Sequence, residues 1–286
     1  MEKHVTFGLR VFFIPPIVQF LCQSRSLSFL HTCMIHILSF VAVTVFHVAK
    51  DTLRISIKNI IQYGWRSFFL GVLIVIGVQL GSFGDVWTPF SWYICILAIF
   101  HYTEFAATAL IKPESVNLDS YLLNHSLSYG LAALASWIEF LVEAYFYPGI
   151  KRYHWISFIG LLMCICGEII RKGAMFTAGS NFDHLIRYRK EKGHRLVTSG
   201  IYSWCRHPSY VGWFYWSIGT QIILCNPACL ILYTMASWMF FKSRVYEEEI
   251  TLLAFFGDQY EKYQLKVGTG LPLIKGYVEE EDAAKT

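Results

Sequence analysis

Long apolar runs recur along the whole chain, and they constrain its fold more than any other feature. A helix that crosses a bilayer needs about 20 mostly apolar residues, and most of these runs are close to that length. Of the 286 residues, 55% are hydrophobic and only 15% are charged, whereas a soluble domain carries about a quarter charged residues. The sequence therefore predicts an all-α, polytopic integral membrane protein.

The spacing of the apolar runs predicts about eight transmembrane helices. Pro15 and Pro16 should kink the first of them, because proline disrupts a helix interior. Between residues 244 and 265, apolar residues recur every three or four positions, which predicts a C-terminal amphipathic helix on the cytosolic membrane surface. The eight spans are expected at about 7–22, 27–49, 67–83, 90–111, 127–147, 155–176, 208–224 and 228–241.

The placement of lysine and arginine predicts the orientation. With eight spans both termini lie on one side, and the loops of the opposite side hold only Arg25, Lys151 and Arg152. Because lysine and arginine concentrate in cytoplasmic loops, we expect both termini and the two polar clusters described below to face the cytosol.

Two other kinds of site are not expected. No basic run is dense enough for a nucleic-acid surface. The eight cysteines include no C-x-x-C pair, so neither a zinc site nor a disulfide framework is predicted.

A polar segment at residues 200–212 (GIYSWCRHPSYVG) immediately precedes an apolar run. Pro208 suits the first turn of a helix and biases His207 toward an extended backbone. A helix should thus begin abruptly after His207, and its free N–H groups would attract a carboxylate. Tyr202 and Tyr210 offer rings and hydroxyls for an aromatic ligand. The composition is also typical of a basic loop with interfacial aromatic residues.

A second polar cluster runs from Arg244 to Glu249. On a helix, Arg244 and Glu248 are four residues apart and share a face. Such a pair is either a surface ion pair of small energetic value or a cation for an anionic substrate beside a carboxylate for a ligand ammonium group.

Together, the two clusters resemble the paired signatures of the isoprenylcysteine carboxyl methyltransferases and related membrane methyltransferases. Residues 167–182 and 268–276 resemble the eukaryotic isoprenylcysteine enzymes in particular. The resemblance extends over residues 155–276, and the first four helices match only in being hydrophobic. The two signatures read Gly200-x-Tyr202-x3-Arg206-His207-Pro208-x-Tyr210-x-Gly212 and Glu248-Glu249-x2-Leu252-x3-Phe256-Gly257-x2-Tyr260-x2-Tyr263.

This resemblance implies S-adenosylmethionine as methyl donor and the α-carboxylate of a C-terminal prenylated cysteine as acceptor. Arg244 corresponds to the family's substrate-facing arginine, and Arg171 is a second candidate for holding the carboxylate and for catalysis. Among the three glutamates, the spacing to Leu252 and Phe256-Gly257 selects the pair Glu248-Glu249, and Arg244, one helical turn earlier, favours Glu248 for the cofactor ammonium. The implied cofactor-binding residues are Arg187, His194, Arg195, Leu196, Val197, Tyr202, His207, Pro208, Ser209, Tyr210 and Glu248.

The resemblance also implies an organisation and a location. Residues 1–154 would form five membrane helices of open role, residues 155–276 the methyltransferase core, and residues 277–286 an acidic, disordered tail. The partners would be farnesylated or geranylgeranylated proteins and the lipid bilayer, in the endoplasmic reticulum membrane. Two alternatives stay open: a phospholipid amine N-methyltransferase, and a non-catalytic membrane protein of related fold.

Overall fold

The computed structural model describes residues 3–17, 57–123 and 126–277. Within these ranges the regular elements are helical, with short 3-10 turns between the long helices. We number the helices α1 Lys3–Val11, α2 Ile57–Leu80, α3 Thr88–Ile111, α4 Leu127–Phe146, α5 His154–Ala178, α6 Pro208–Leu224, α7 Pro227–Phe256 and α8 Asp258–Gln264.

Proline, glycine and polar caps set the helix ends. Pro89 occupies the first turn of α3, and Pro227 that of α7, as expected for a residue without an N–H. The side chain of Ser126 accepts a hydrogen bond from the Tyr129 amide and caps α4. Helix α7 ends at Gly257, whose φ of 50° is in the left-handed region that glycine adopts easily.

Four helices in the described ranges are long and apolar enough to cross a membrane, and they correspond to the third to sixth predicted spans. Helices α6 and α7 cover the seventh and eighth predicted spans but do not belong to this set. Helix α6 has 17 residues, and charged residues from Lys242 onward end the apolar part of α7. The protein is thus an α-helical membrane protein, and the count of eight spans stays a prediction. The four segments are Ile61–Phe83, Asp85–Ile111, Leu127–Phe146 and His154–Asn181.

Two local predictions differ from the structure, and a third lies outside the described residues. The expected first span is helical from residue 3, but α1 ends at Val11. After a turn at residues 12–13 the chain is helical again over residues 14–17, which include both prolines. The second span, at 27–49, lies outside the described residues. The separate amphipathic helix predicted at 244–265 was wrong, because α7 continues without a break to Phe256 and a short α8 follows. No proline or glycine separates Phe241 from Arg244, so the change from apolar to polar residues does not interrupt the helix.

The chain divides into two compact units, residues 1–158 with 223–225, and residues 159–222 with 226–286. In the first unit, α1, α2 and α3 enclose an aromatic core. The rings of Phe12 and Tyr102 stack at 3.6 Å, and those of Phe105 and Tyr121 stack at 4.2 Å. The Tyr121 hydroxyl donates a 3.1 Å hydrogen bond to the Tyr63 carbonyl. These contacts give the N-terminal unit a packed core of its own.

A buried cation organises the end of the first unit. The Lys151 side chain is fully buried, and its Nζ contacts the Glu143 carboxylate at 2.6 Å. It also donates to the carbonyls of Leu224 and Cys225, at 2.8 and 3.0 Å. Lys151 thus satisfies carbonyls at the C-terminus of α6, where a positive charge is favoured.

The second unit is built from the rest of α5 with α6, α7 and α8. Glycines bring α5 and α6 close together: a Cβ atom added to Gly167 would lie 2.6 Å from the Gly212 carbonyl oxygen, and one added to Gly212 would lie 2.5 Å from the Gly167 carbonyl oxygen. Small residues permit such close helix packing in membranes. This contact fixes the start of α6, where the first signature lies.

Candidate active site

The first signature forms a tight turn that leads directly into α6. Gly200 has a φ of 61° and begins a 3-10 turn, Gly200–Ser203. The His207 carbonyl accepts hydrogen bonds at 3.0 Å from the amides of Tyr210 and Val211. The predicted abrupt start of a helix at Pro208 is confirmed.

A cavity with about 700 Å³ of empty space, part of it open to solvent, lies in the second unit. Its walls come from the end of α5, the segment that follows it, the first signature, α7 and α8. The lining residues are Ala178, Asn181, Phe182, Asp183, His194, Arg195, Leu196, Val197, Tyr202, Arg206, His207, Pro208, Ser209, Tyr210, Glu248, Leu252, Phe256, Tyr260 and Tyr263.

His207 lies between the two carboxylates of the second signature. Its Nε2 is 3.0 Å from Glu249 Oε1, and its Nδ1 is 3.4 Å from Glu248 Oε2. Burial by itself lowers the pKa of His207, but the hydrogen bonds and charges of Glu248 and Glu249 outweigh burial and raise the pKa to about 9. The imidazole is therefore positively charged at neutral pH, and it stacks on the Tyr210 ring at 5.5 Å.

The two glutamates differ sharply in their surroundings. Glu249 is fully buried, and its Oε1 accepts hydrogen bonds from Arg206, His207 and Tyr260. The pKa of Glu249 falls to about 2, because His207 and Arg206 outweigh the effect of burial, which raises it. Glu249 is thus an internal counter-ion.

Glu248 instead faces the cavity, and its side chain is 30% exposed. Its Oε2 atom is 3.4 Å from His207 Nδ1, so this carboxylate is held less closely than that of Glu249. Burial raises the pKa of Glu248, but the neighbouring His207 outweighs burial, so the pKa is lowered. An ionised carboxylate with acceptor capacity to spare is suited to an ammonium group in the cavity.

Arg244 does not line the cavity but lies directly behind one of its walls. Its Nε donates a 3.1 Å hydrogen bond to the Tyr210 hydroxyl, and its Nη2 donates to the His184 carbonyl. The guanidinium is only partly buried. Tyr210, which accepts this hydrogen bond, lines the cavity, as does Glu248 one helical turn after Arg244.

Arg171 is also outside the cavity lining, and it is 2% exposed. Its Nη1 donates to the Ser209 hydroxyl at 2.9 Å, and its guanidinium lies 4.7 Å from the centroid of the Trp213 ring. Arg171 therefore contacts Ser209, a residue that lines the cavity.

Arg187 lies apart from the other predicted cofactor residues. It forms ion pairs with Asp183 at 2.9 Å and with Glu191 at 2.6 Å. Of these three residues, Asp183 lines the cavity, and it was not predicted from the sequence. The remaining predicted cofactor residues, from His194 to Glu248, all line the cavity.

Several other residues that line the cavity were not predicted individually from the sequence. Asn181 accepts a 2.9 Å hydrogen bond from the Arg195 amide, and it lies near the end of the stretch at 167–182 that resembles the eukaryotic enzymes. Phe256, Tyr260 and Tyr263 occupy fixed positions of the second signature. Their regular spacing was a usable signal, but it did not separate cavity residues from packing residues.

Fold and site together define an α-helical membrane protein with a charged ligand pocket assembled by two sequence signatures. The family model "Isoprenylcysteine carboxyl methyltransferase (ICMT) family" matches residues 159–254. The chain is 56% identical over 215 residues to protein-S-isoprenylcysteine O-methyltransferase of Xenopus laevis, covering 75% of each chain. It is 54% identical over 215 residues to that of Homo sapiens, covering 75% of this chain and 76% of the human protein.

A solved structure of the eukaryotic intramembrane Ras methyltransferase ICMT superposes with a TM-score of 0.86 at 44% identity, over 97% of this chain and 100% of that one. The chain belongs to the isoprenylcysteine carboxyl methyltransferase family, and the resemblance inferred from its two signatures is confirmed.

Proposed function

We propose that this protein transfers a methyl group from S-adenosylmethionine to the α-carboxylate of a C-terminal prenylated cysteine, forming a methyl ester. The observation that carries the proposal is the ionised Glu248 carboxylate, which faces the cavity beside the protonated His207. Curated relatives named protein-S-isoprenylcysteine O-methyltransferase, more than half identical over three quarters of the chain, support the same reaction.

The residues around the cavity fit the proposed donor. Glu248 would hold the ammonium of the methionyl moiety, and the positive charge of His207 would favour the methionyl carboxylate nearby. The rings of Tyr202 and Phe256 line the same cavity and suit a planar base. When bound, S-adenosylmethionine supplies the electrophilic sulfonium methyl, which bonds to a carboxylate oxygen of the acceptor as S-adenosylhomocysteine leaves.

Further cofactor contacts are assigned to Arg187, His194, Arg195, Leu196, Val197, Pro208, Ser209 and Tyr210. Arg187 would act through Asp183, the lining residue with which it pairs.

The acceptor carboxylate is ionised at neutral pH, so the protein does not need a strong general base. What it must supply is alignment of one carboxylate oxygen behind the methyl carbon, and such positioning contributes about 7–11 kcal/mol in favourable cases. We assign this task to Arg244, whose guanidinium can hold a carboxylate bidentately. To bind the substrate carboxylate, Arg244 would release its hydrogen bond to the His184 carbonyl.

Arg171 is assigned as the second arginine of the site. Its contact with Ser209 would orient the first turn of α6, and its positive charge would favour an acceptor carboxylate nearby. In water two exposed charges 4 Å apart attract by about 1 kcal/mol, and the attraction grows several-fold near a protein interior.

The membrane would supply the acceptor. A prenyl chain partitions into the hydrocarbon layer, so it would enter sideways from the bilayer while the donor arrives from the aqueous side. We place the protein in the endoplasmic reticulum membrane by analogy with its family. We orient the cavity and both termini toward the cytosol, because the lysine and arginine residues concentrate in the loops of that side of the predicted eight-span arrangement.

The test is a methyl-acceptor panel. Purified protein in vesicles would receive labelled donor with a farnesylcysteine analogue, a geranylgeranylcysteine analogue or phosphatidylethanolamine. Base-labile methyl ester on a prenylcysteine supports the proposal. Label on the lipid amine would favour a phospholipid methyltransferase, and failure to bind the donor would favour a non-catalytic protein.

A further inference from the structure

The last described residues run beside the cavity without lining it. In this C-terminal segment (residues 269–277), the Thr269 carbonyl accepts a hydrogen bond from the His207 amide at 3.3 Å. The Lys275 carbonyl accepts one from Arg206 Nη2 at 2.9 Å. The first signature is therefore held along its side by the chain's own C-terminal segment.

The segment ends on the carboxylate of Glu249. The Tyr277 amide donates a 2.8 Å hydrogen bond to Glu249 Oε2. Gly276 has a φ of 88°, and a Cβ atom placed there would lie 1.9 Å from the same oxygen. No other residue fits at position 276 unless the carboxylate moves.

The other oxygen of Glu249 faces the first signature. Glu249 Oε1 accepts hydrogen bonds from Arg206 Nε at 2.8 Å and from His207 Nε2 at 3.0 Å. One carboxylate thus joins the C-terminal segment to the imidazole, while the opposite ring nitrogen, Nδ1, points at Glu248. Displacement of Glu249 would therefore remove one of the two carboxylate partners of His207.

We propose that the C-terminal segment is a positioning element of the donor pocket, in which Gly276 and Tyr277 hold the Glu249 carboxylate so that His207 faces Glu248. This inference rests on the proposed function, because the pocket is taken to bind S-adenosylmethionine. Residues 269–277 do not line the cavity, so they act on it through Glu249, Arg206 and the backbone of His207.

A purely stabilising segment would behave differently from a positioning one. The charged and titratable groups facing His207 are Glu248 and Glu249 from α7, Tyr210 from α6 and the adjacent Arg206. If Glu249 is displaced, His207 loses one of its two carboxylate partners, and its pKa must fall. A stabilising role alone would lower the unfolding temperature and leave the pKa of the folded protein unchanged.

The experiment compares Gly276→Ala with Gly268→Ala. Gly268 directly precedes the segment, and a Cβ atom there meets nothing within 4 Å, so it is a matched control. We measure binding of S-adenosylhomocysteine, and the His207 titration by NMR of histidine-labelled protein. In Gly276→Ala we expect affinity to fall about tenfold or more, as for a lost hydrogen bond to a charged group, and the His207 midpoint to fall by about one pH unit.

A second pair of variants, at Tyr277, tests the proposal even if Gly276→Ala does not fold. Tyr277→Pro removes the amide donor to Glu249, whereas Tyr277→Phe keeps it. We expect the proline variant, and not the phenylalanine variant, to show the same two changes. Native affinity and a native His207 midpoint in both Gly276→Ala and Tyr277→Pro would overturn the proposal, as would lost affinity with an unchanged midpoint.

The titration needs no donor, so it tests the positioning role separately from the reaction. A wild-type protein that binds no S-adenosylhomocysteine, but whose His207 midpoint falls in Gly276→Ala, would refute the proposed function and keep the positioning role.

Discussion

Arg171 and Ser209 are joined by a 2.9 Å hydrogen bond from Nη1 to Oγ, so a buried cation of α5 holds the first turn of α6. The Ser209 carbonyl accepts a second contact from the same nitrogen at 3.3 Å. Through these two contacts Arg171, which lies outside the cavity, can influence the position of the cavity wall.

Replacing Ser209 by alanine should weaken donor binding about tenfold, because a hydrogen bond between a buried cation and a cavity-lining side chain is lost. Equilibrium binding of S-adenosylhomocysteine measures the effect. Ser217→Ala is the control, since the Ser217 hydroxyl donates only to the Phe214 carbonyl of its own helix. Equal affinities for the two variants would contradict a role for Ser209 in the pocket.

Arg244→Ala should lower kcat about 100-fold while donor affinity stays near that of the native protein. The reason is that a lost contact to a charged partner costs about 2–5 kcal/mol, and the partner proposed here is the acceptor carboxylate. Steady-state kinetics with a farnesylcysteine analogue, combined with donor binding, separates the two effects. Lys242→Ala is the matched control on the same helix, where Lys242 lies over the Trp238 ring. Lost donor affinity with native turnover would reverse the assignment.

Glu248→Gln should weaken donor binding by about tenfold or more, because the substitution removes the charge proposed to hold the ammonium group. The neighbouring Glu247→Gln serves as control, since Glu247 is exposed and contacts only Ser243 at 3.5 Å. Isothermal titration with S-adenosylhomocysteine is the measurement. A stronger effect at position 247 would show that the wrong glutamate had been chosen.

Donor binding should be lost as the pH rises through about 9. The pKa of His207 is raised from 6.5 to about 9, so its proton contributes stability that is complete below pH 6.5 and is lost through pH 9. The pKa of Glu249 is lowered from 4.5 to about 2, so its contribution is present above pH 4.5 and is lost as the pH falls through 2. Unfolding temperature and donor affinity measured from pH 6 to pH 10 test the upper limit. A decline centred near pH 6.5 would show that the two carboxylates do not hold the proton on His207.

Lys151→Met should destabilise the first unit by about 3–5 kcal/mol, because one partner of a buried ion pair is removed and the other is left uncompensated. Arg152→Met, at an exposed neighbouring position, should have little effect. Adding Glu143→Leu to Lys151→Met should restore part of the loss, since the orphaned carboxylate is then removed as well. Thermal unfolding in detergent measures all three variants, and additive losses in the double variant would exclude coupling between Lys151 and Glu143.

The helix positions from residue 67 onward could be predicted closely, because each depends on a local signal. Apolar length predicts the helices, and Pro89, Pro208 and Pro227 mark where three of them begin. The fate of residues 244–265 could not be predicted. A run of charged residues makes that part of a helix favour water over the membrane, but it does not end the helix. Helix α7 ends only at Gly257.

Most cavity residues could also be named from the two signatures, since they lie in short, characteristic segments. The spacing of the second signature could not predict which of Glu248 and Glu249 faces the cavity and which is buried. Adjacent helix positions point about 100° apart, and only the packing of α8 and the C-terminal segment against α7 decides which carboxylate is enclosed.

The sequence by itself thus determined the class of protein, the family and the two segments that build the pocket, because hydrophobic length and signature spacing are properties of the chain. Only the tertiary structure decided that Arg171 holds Ser209, that Arg187 stands outside the cavity, and that Glu249 is a buried counter-ion joined to Tyr277. These assignments depend on distances between residues far apart in the chain, which are created only when the helices pack.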